Sequence, residues 1–451
     1  MTSRRLRSGS VLPVLAVLAM VATVSVSAAD WPSWRGPAGT GTTPETKLPE
    51  KWNATENVAW KAPLAGLGVS SPIVSGNRVI VTSQIGSGVR APGNHPRLVQ
   101  GGNAASAGER ALEAKGGSDT TFFLIEAFNR ADGKRLWEYR LEAVGTLPGV
   151  HDKHNLASPS PVTDGQMVYA WFGTGQLVAL DMNGKLMWQR HLGTEISPFD
   201  VIWGHSSSPT LFEDTLLLLA DHAPASYLLA VDKRTGRERW KADRGKGKLS
   251  YSTPVVVTTP AGPEVIVNSS DRVDAYDPRT GALLWYTGTT NRFPIPVPVF
   301  HDGVVYMSRG YRSGPYMAIR PGGRGDITKT HIVWETQTGA PYISSLVHHD
   351  GLIYMATDVG GVTVVDATSG ARVWQQRIDG IFSASPVAGD GKVYFASETG
   401  ETIVLRAGRT PEVIARNDVG ARLMASPAIS NGQIFLRSDD QLFAIGPKPG
   451  S

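Results

Sequence analysis

The stretch Val178–Trp188, "VALDMNGKLMW", decides the fold of this chain. Val178, Leu180, Leu186 and Trp188 stand at even spacing, with Asn183-Gly184 between the two apolar runs. Alternating apolar residues on either side of Asn-Gly predict two strands joined by a tight hairpin, because Asn-Gly takes the positive φ angles that such turns need. Close variants recur as "EAFNRADGKRLW" (126–137), "LAVDKRTGRERW" (229–240), "DAYDPRTGALLW" (274–285) and "TVVDATSGARVW" (363–374). The motif therefore belongs to a repeat.

A second mark accompanies it: a Ser-Pro or similar pair that opens an apolar strand. Its equivalent positions are 72, 161, 209, 254, 298, 346, 386 and 427, separated by 89, 48, 45, 44, 48, 40 and 41 residues. The long first gap contains a Gly-rich insertion at about 85–121. Each unit reads as four short strands, with turns such as Asp164-Gly165, Asp302-Gly303 and Asn431-Gly432 between the first two. With the 37 residues of that insertion subtracted from the first gap, the units are spaced at 40 to about 52 residues, and four strands per unit at this period describe a propeller blade. The expected fold is all-β, an eight-bladed β-propeller of four-stranded antiparallel blades. The Trp column is Trp60, Trp137, Trp188, Trp240, Trp285, Trp334 and Trp374, with Ile414 in the eighth place. Trp60 precedes the first Ser-Pro, so the chain begins with a fourth strand and ends with a third, "LFAIG" at 442–446. The N-terminal strand is expected to close the ring beside it, leaving no open edge. A residue that recurs once per unit belongs to the shared core, and the Asp before each Gly turn is a turn residue.

Residues 1–29 have the layout of an export signal: Arg4, Arg5 and Arg7, an apolar core from Val11 to Val26, and Ser27-Ala28-Ala29 before Asp30. The core is short for a membrane span, so cleavage and a periplasmic or secreted location are expected. The expected division is a signal at 1–29, a leader at 30–59, the propeller at 60–446 and a tail at 447–451. Without the signal's three arginines, 41 of the 44 basic residues remain against 40 acidic ones, a net charge of +1. That balance implies no nucleic-acid partner. The chain has no cysteine, which excludes disulfides, thiol catalysis and an N-terminal lipid anchor.

"AVDKRTGRERW" and "AYDPRTGALLW" resemble pyrroloquinoline quinone (PQQ) repeats, and the chain resembles the bacterial PQQ-binding-like β-propeller repeat proteins. The leader "DWPSWRGPAGTG" (30–41) and "SGPYMAIRPGGRGDITKTHIVW" (313–334) match that group. The resemblance implies eight blades and two functional directions: quinone-dependent dehydrogenases, and the propeller subunit of the outer-membrane barrel assembly machinery. The dehydrogenases use a vicinal Cys pair, a catalytic Asp and a Ca²⁺ site of Glu, Asn and Asp. Hard oxygen ligands are what Ca²⁺ requires, and the acids Asp152, Glu195, Asp200 and Asp379 carry no matching motif. No cofactor is expected, and PQQ with Ca²⁺ is what the dehydrogenase alternative would need.

Residues just before each Ser-Pro are expected to ring one mouth of the central channel. They differ from unit to unit, and the candidate ligand-binding residues are His151, His154, Asn155, His205, Tyr251, Arg292, Tyr342, Phe382 and Arg422. Mixed aromatic, imidazole and amide groups at a concave mouth suit a small ligand. His151-x-x-His154 with His205 lacks a supporting carboxylate motif, so no metal is expected. His205-Ser206 with Asp200 lacks a nucleophile elbow, so no catalytic residue is assigned. Arg324-Gly325-Asp326 reads as a Gly turn. The expected function is an exported, non-catalytic propeller that binds a small molecule or a cell-envelope protein at one mouth. The alternatives are a PQQ-dependent dehydrogenase acting on an alcohol or sugar, and a polysaccharide-binding propeller.

Overall fold

The computed structural model describes residues 30–86, 89–90, 120–151, 153–311 and 313–447; residues 1–29 and most of the insertion at 85–121 lie outside them. Eight antiparallel sheets form the ring, and one short helix, Leu192–Glu195, is the only helix among the described residues. Blade 2 holds the opening motif. Its strands are Val162–Thr163, Met167–Trp171, Gln176–Asp181 and Leu186–His191. The motif is the hairpin of the third and fourth strands, with Ala179 opposite Trp188. Only Gly184 takes a positive φ, +83°, while Asn183 does not. The turn is thus looser than a two-residue hairpin, and a register shift between Ala179 and Leu180 takes up the extra residue.

The tryptophans tie each blade to the next. Trp137 Nε1 donates to the Met182 carbonyl at 3.0 Å, Trp188 to Lys233 at 3.0 Å, Trp240 to Pro278 at 3.1 Å and Trp334 to Ala367 at 2.9 Å. In each case the acceptor lies in the third-to-fourth turn of the following blade. The turn glycine is needed twice over. It supplies the positive φ, and a Cβ on Gly184 would lie 2.7 Å from the Trp137 ring.

Two positions depart from the column. Trp285 is wholly buried, and its indole N–H goes to the Glu264 carboxylate at 2.7 Å within its own blade. The turn it would meet in blade 5 is replaced by a longer loop, from which Gly325–Asp326 adds a fifth, parallel strand beside Trp285–Tyr286. The Arg-Gly-Asp triplet thus lies partly in an added strand. Ile414 faces blade 8, where the third and fourth strands come from opposite ends of the chain. No turn exists there for an indole to meet.

That eighth blade is the closure. Val58–Pro63 pairs antiparallel with Gln441–Ile445, with Trp60 opposite Ala444 and Lys61 opposite Phe443. Buried clusters lie between adjacent blades, and the one spanning the closure draws Trp60, Val74, Phe128, Phe435 and Phe443 together with Trp31 and Trp52 of the leader.

The leader crosses one face of the ring. Trp31 bridges Val74 of blade 1, and the Pro32 carbonyl accepts from Thr163 of blade 2 at 2.9 Å. Arg35 reaches the carbonyls of Leu346 and Pro386 at 2.5 and 3.5 Å, and Thr43 N donates to Ala388 of blade 7 at 3.0 Å. Blades 2 and 6 are diametrically opposed in a ring of eight, so Trp34 and Arg35 lie across the channel and close it on that side.

Candidate functional site

The Ser-Pro marks prove to be a belt around the throat. The backbone N–H of each donates to the hydroxyl of the next: Ser71 to Ser160, Ser160 to Ser208, Ser208 to Thr253, then Val297 to Ser345, Ser345 to Ser385 and Ser385 to Ser426, all at 2.9 Å. Except after Ser345, where Leu346 follows, the next position is proline and has no N–H to offer, so the amide before it carries the link between blades. Blade 5 has Val297 in place of a hydroxyl, and the belt is interrupted there and, among the described residues, also between Ser426 of blade 8 and Ser71 of blade 1.

Above the belt is a chamber of ≈190 Å³. Its floor is Trp34, whose indole N–H faces the Ser426 hydroxyl at 3.4 Å. Its wall includes Ser71, Ser160, Ser208, Ser385 and Ser426. Its roof is built by loops before blades 2, 3, 4 and 6, and includes His151, Lys153, His154, Trp203, Tyr251 and Tyr342. Gly204, at φ +91°, lets the two roof loops meet; a Cβ there would lie 2.6 Å from Val150 and 3.2 Å from His154.

Four of the nine candidates, His151, His154, Tyr251 and Tyr342, therefore face this chamber. The other five do not. Asn155 is buried below it as a loop brace, donating to the Leu67 carbonyl and accepting from Ala157 N. His205 is fully buried between Trp171 and Phe199, with His222 Nε2 3.1 Å from its Nδ1. Burial holds both imidazoles below the ordinary range, His222 down to about 3, so the pair stays neutral. Phe382 packs between blades 6 and 7 against Phe395. Arg292 is exposed beside the Phe293 ring, and Arg422 is paired with Asp439 at 2.7 Å.

A polar cluster at the roof was not singled out from the sequence. Lys153 and Glu398 form a buried ion pair at 2.8 Å that joins the loop before blade 2 to blade 7. Ser383 also donates to Glu398. Asp358, from blade 6, is buried with neither carboxylate oxygen hydrogen-bonded among the described residues. Burial, with Glu398 nearby, pushes its carboxyl up to about 8, so it is largely protonated at neutral pH. Asp358, Glu398 and Asp439 occupy the same place in three successive units, "TDVG", "SETG" and "SDDQ". A carboxylate recurring where blade 2 has Gly173 was the available signal.

The donors present do not make a Ca²⁺–quinone site. No Asp or Glu lines the chamber among the described residues, no group of three or more His, Asp or Glu there could hold a metal, and the chain has no cysteine.

Eight four-stranded blades, docked by tryptophans and closed by the first strand, define a PQQ-repeat β-propeller. Within that class, the chain belongs to the family whose model is described as outer membrane protein assembly factor BamB, which it matches over residues 121–376 and 358–450. It is 25% identical over 317 residues to the BamB of Yersinia pestis, covering 67% of this chain and 70% of that protein. It is also 25% identical over 321 residues to the tetrathionate hydrolase of Acidithiobacillus ferrooxidans, covering 67% of this chain but only 57% of that protein's length. Among solved structures, BamB from Moraxella catarrhalis superposes with a TM-score of 0.55 at 16% identity, over 72% of this chain and 91% of that one. Quinohemoprotein alcohol dehydrogenase from Comamonas testosteroni gives 0.64 at 12% identity, over 93% of this chain and 81% of that one. These superpositions establish the shared fold. No helix among the described residues is long and apolar enough to cross a membrane.

Proposed function

We propose that the protein is a non-catalytic propeller of the bacterial cell envelope, exported through residues 1–29, that binds a protein partner at the roofed mouth. The observation that carries this reading is an aromatic cluster built there by loops before blades 3, 4 and 5. Trp203 stacks on Tyr251 with ring centroids 6.4 Å apart and meets Phe293 at 4.6 Å, and Tyr311 joins Phe293 and Tyr342. Ile202 beside it is 47% exposed. Tyr251, Phe293 and Tyr342 are buried in this cluster and Trp203 and Tyr311 half-buried, so it is a rigid platform that presents Ile202, and an exposed aliphatic side chain on a rigid base is a feature that a protein partner can cover. Membership of a family described as an outer membrane protein assembly factor supports a partner in that assembly. The lack of carboxylates among the described residues that line the chamber, and the chain's lack of cysteine, weigh against a quinone dehydrogenase.

A photo-crosslinking residue at Ile202, in cells of the native host, tests the reading. The expected product joins the protein to a component of outer-membrane protein assembly, and the same probe at Leu283 on the outer rim gives none. Equal labelling at both positions, or none at Ile202, overturns it. Retention of quinone absorbance with dye reduction after incubation with PQQ and Ca²⁺ overturns the non-catalytic part.

A further inference from the structure

The chamber has a chemical bias that partner docking does not explain. The hydroxyls of Ser160, Ser208, Ser385 and Ser426 each accept an N–H, and among the described residues none donates a hydrogen bond. Each has a proton left for something in the chamber. The charged side chain in the lining is the Lys153 ammonium, one of whose protons goes to Glu398 at 2.8 Å; two imidazoles stand beside it, and among the described residues no carboxylate lines the space.

Buried cations stand directly behind the wall. Arg437 bonds the Ser70 carbonyl at 3.0 Å and its hydroxyl, one residue from Ser71. Arg35 bonds the Leu346 and Pro386 carbonyls, next to Ser345 and Ser385. Arg309 bonds Asn268, the Ser269 carbonyl at 2.8 Å and the Thr289 carbonyl at 3.0 Å. All three are about 1% exposed, and among the described residues none has a carboxylate within ion-pair distance. Arg244, by contrast, is held by Asp221 and Asp274 at 2.8 Å. Glu126 and Asp439 act on Arg437, and Asp271 and Asp274 on Arg309, from beyond ion-pair distance, whereas no carboxylate acts on Arg35, whose positive field is weakly screened in the interior.

We propose that the throat chamber binds a small oxyanion, received by the serine hydroxyls and the remaining protons of Lys153 and favoured by the field of the buried Arg35 guanidinium behind Ser345 and Ser385. Inorganic sulfate or phosphate, or the carboxylate of a small organic acid, would satisfy the same donors. The inference stands apart from the partner reading, since it concerns the space below the roof rather than its outer surface.

The test soaks crystals of the mature protein in selenate and locates selenium by anomalous scattering. In parallel, thermal unfolding is followed with sulfate, phosphate, succinate or glucose at matched ionic strength. The expected result is a selenium peak inside the serine belt. A melting rise of about 3 °C should accompany a hundredfold excess over Kd of one of the anions, and the anion that gives it identifies the source. Glucose should give none. Ser208→Ala should weaken that anion at least about tenfold, because one hydrogen bond to a charged group is lost. Ser208→Thr, which keeps the hydroxyl, should retain it. Adventitious surface peaks only, equal stabilisation by all anions, or stabilisation by glucose alone overturns the proposal. The melting difference is read within each variant, so a loss of basal stability does not obscure it.

Discussion

The indole N–H of Trp60 donates to the Arg130 carbonyl at 2.7 Å, and the ring lies over Gly133, where a Cβ would come within 2.5 Å. This contact joins blade 8 to blade 1, so the strand Val58–Pro63 both completes its own sheet and closes the circle.

Trp60→Ala should therefore destabilise the whole protein, by about 3–5 kcal/mol, as large-to-small changes at buried aromatics do. Gly133→Ala should cost about 1–3 kcal/mol, because it forces a side chain into positive φ and into the ring at once. Urea unfolding followed by tryptophan fluorescence measures both. An unchanged midpoint for Trp60→Ala would mean that closure does not depend on this contact.

Lys153 and Glu398 should be strongly coupled. Removing one charge leaves the other buried, so Lys153→Met or Glu398→Gln should each cost about 3–5 kcal/mol. The double replacement should cost less than the sum of the two. A double-mutant cycle in urea gives the coupling, and additive losses would show that the pair is not an energetic unit.

Asp358 gives the stability a slope on the alkaline side. Burial pushes its folded carboxyl up to about 8, against the ordinary aspartate value of 3.8. Between these values the folded state holds the proton and the unfolded state has lost it. Stability is thus fully present below pH 4 and declines as pH rises to about 8, by up to about 1.4 kcal/mol per pH unit. Asp358→Asn should flatten this decline and melt above the wild type at pH 8.5. Parallel pH–Tm curves for the two proteins would contradict the assignment.

The His205–His222 pair acts on the acid side. Both folded values are depressed, His222 to about 3, so the unfolded chain takes up protons first as pH falls below 6.5. His222→Phe, beside Phe199, should lessen the loss of stability between pH 6.5 and 4. Thermal melts across that range check it.

Trp34 and Arg35 hold the floor. Arg35→Ala leaves the Leu346 and Thr40 carbonyls without their donor and should cost about 2–3 kcal/mol. Amides of Trp34, Gly41 and Ala388 should exchange faster in this variant, with blade 3 unaffected. Uniform exchange changes would argue against a local floor.

The strands, turns and blade count were legible in the sequence because each rests on short-range rules. Alternation in "VALDMNGKLMW" sets two faces, Gly184 sets the turn, and one indole per unit marks the docking. The site was less legible. His205 stands beside chamber-lining Ser206, yet its ring turns into a pocket between Trp171 and His222, which come from two different blades. Lys153 and Glu398 are 245 residues apart, and no local pattern announces that they meet across the throat. The Ser-Pro mark was visible as a strand opener, while its hydroxyl's role appears only when the neighbouring blade's amide arrives at 2.9 Å.

By itself, then, the sequence determined eight four-stranded units and the partner of the first strand, since period-two patterning, turn glycines and repeat counting act within about fifty residues. Tertiary structure alone decided which variable side chains look into the throat, that the leader floors it, and that buried arginines stand behind its wall, bonded to backbone carbonyls. Position around a ring is the sum of all the blade-to-blade contacts, and only that sum brings residues hundreds of positions apart to a common axis.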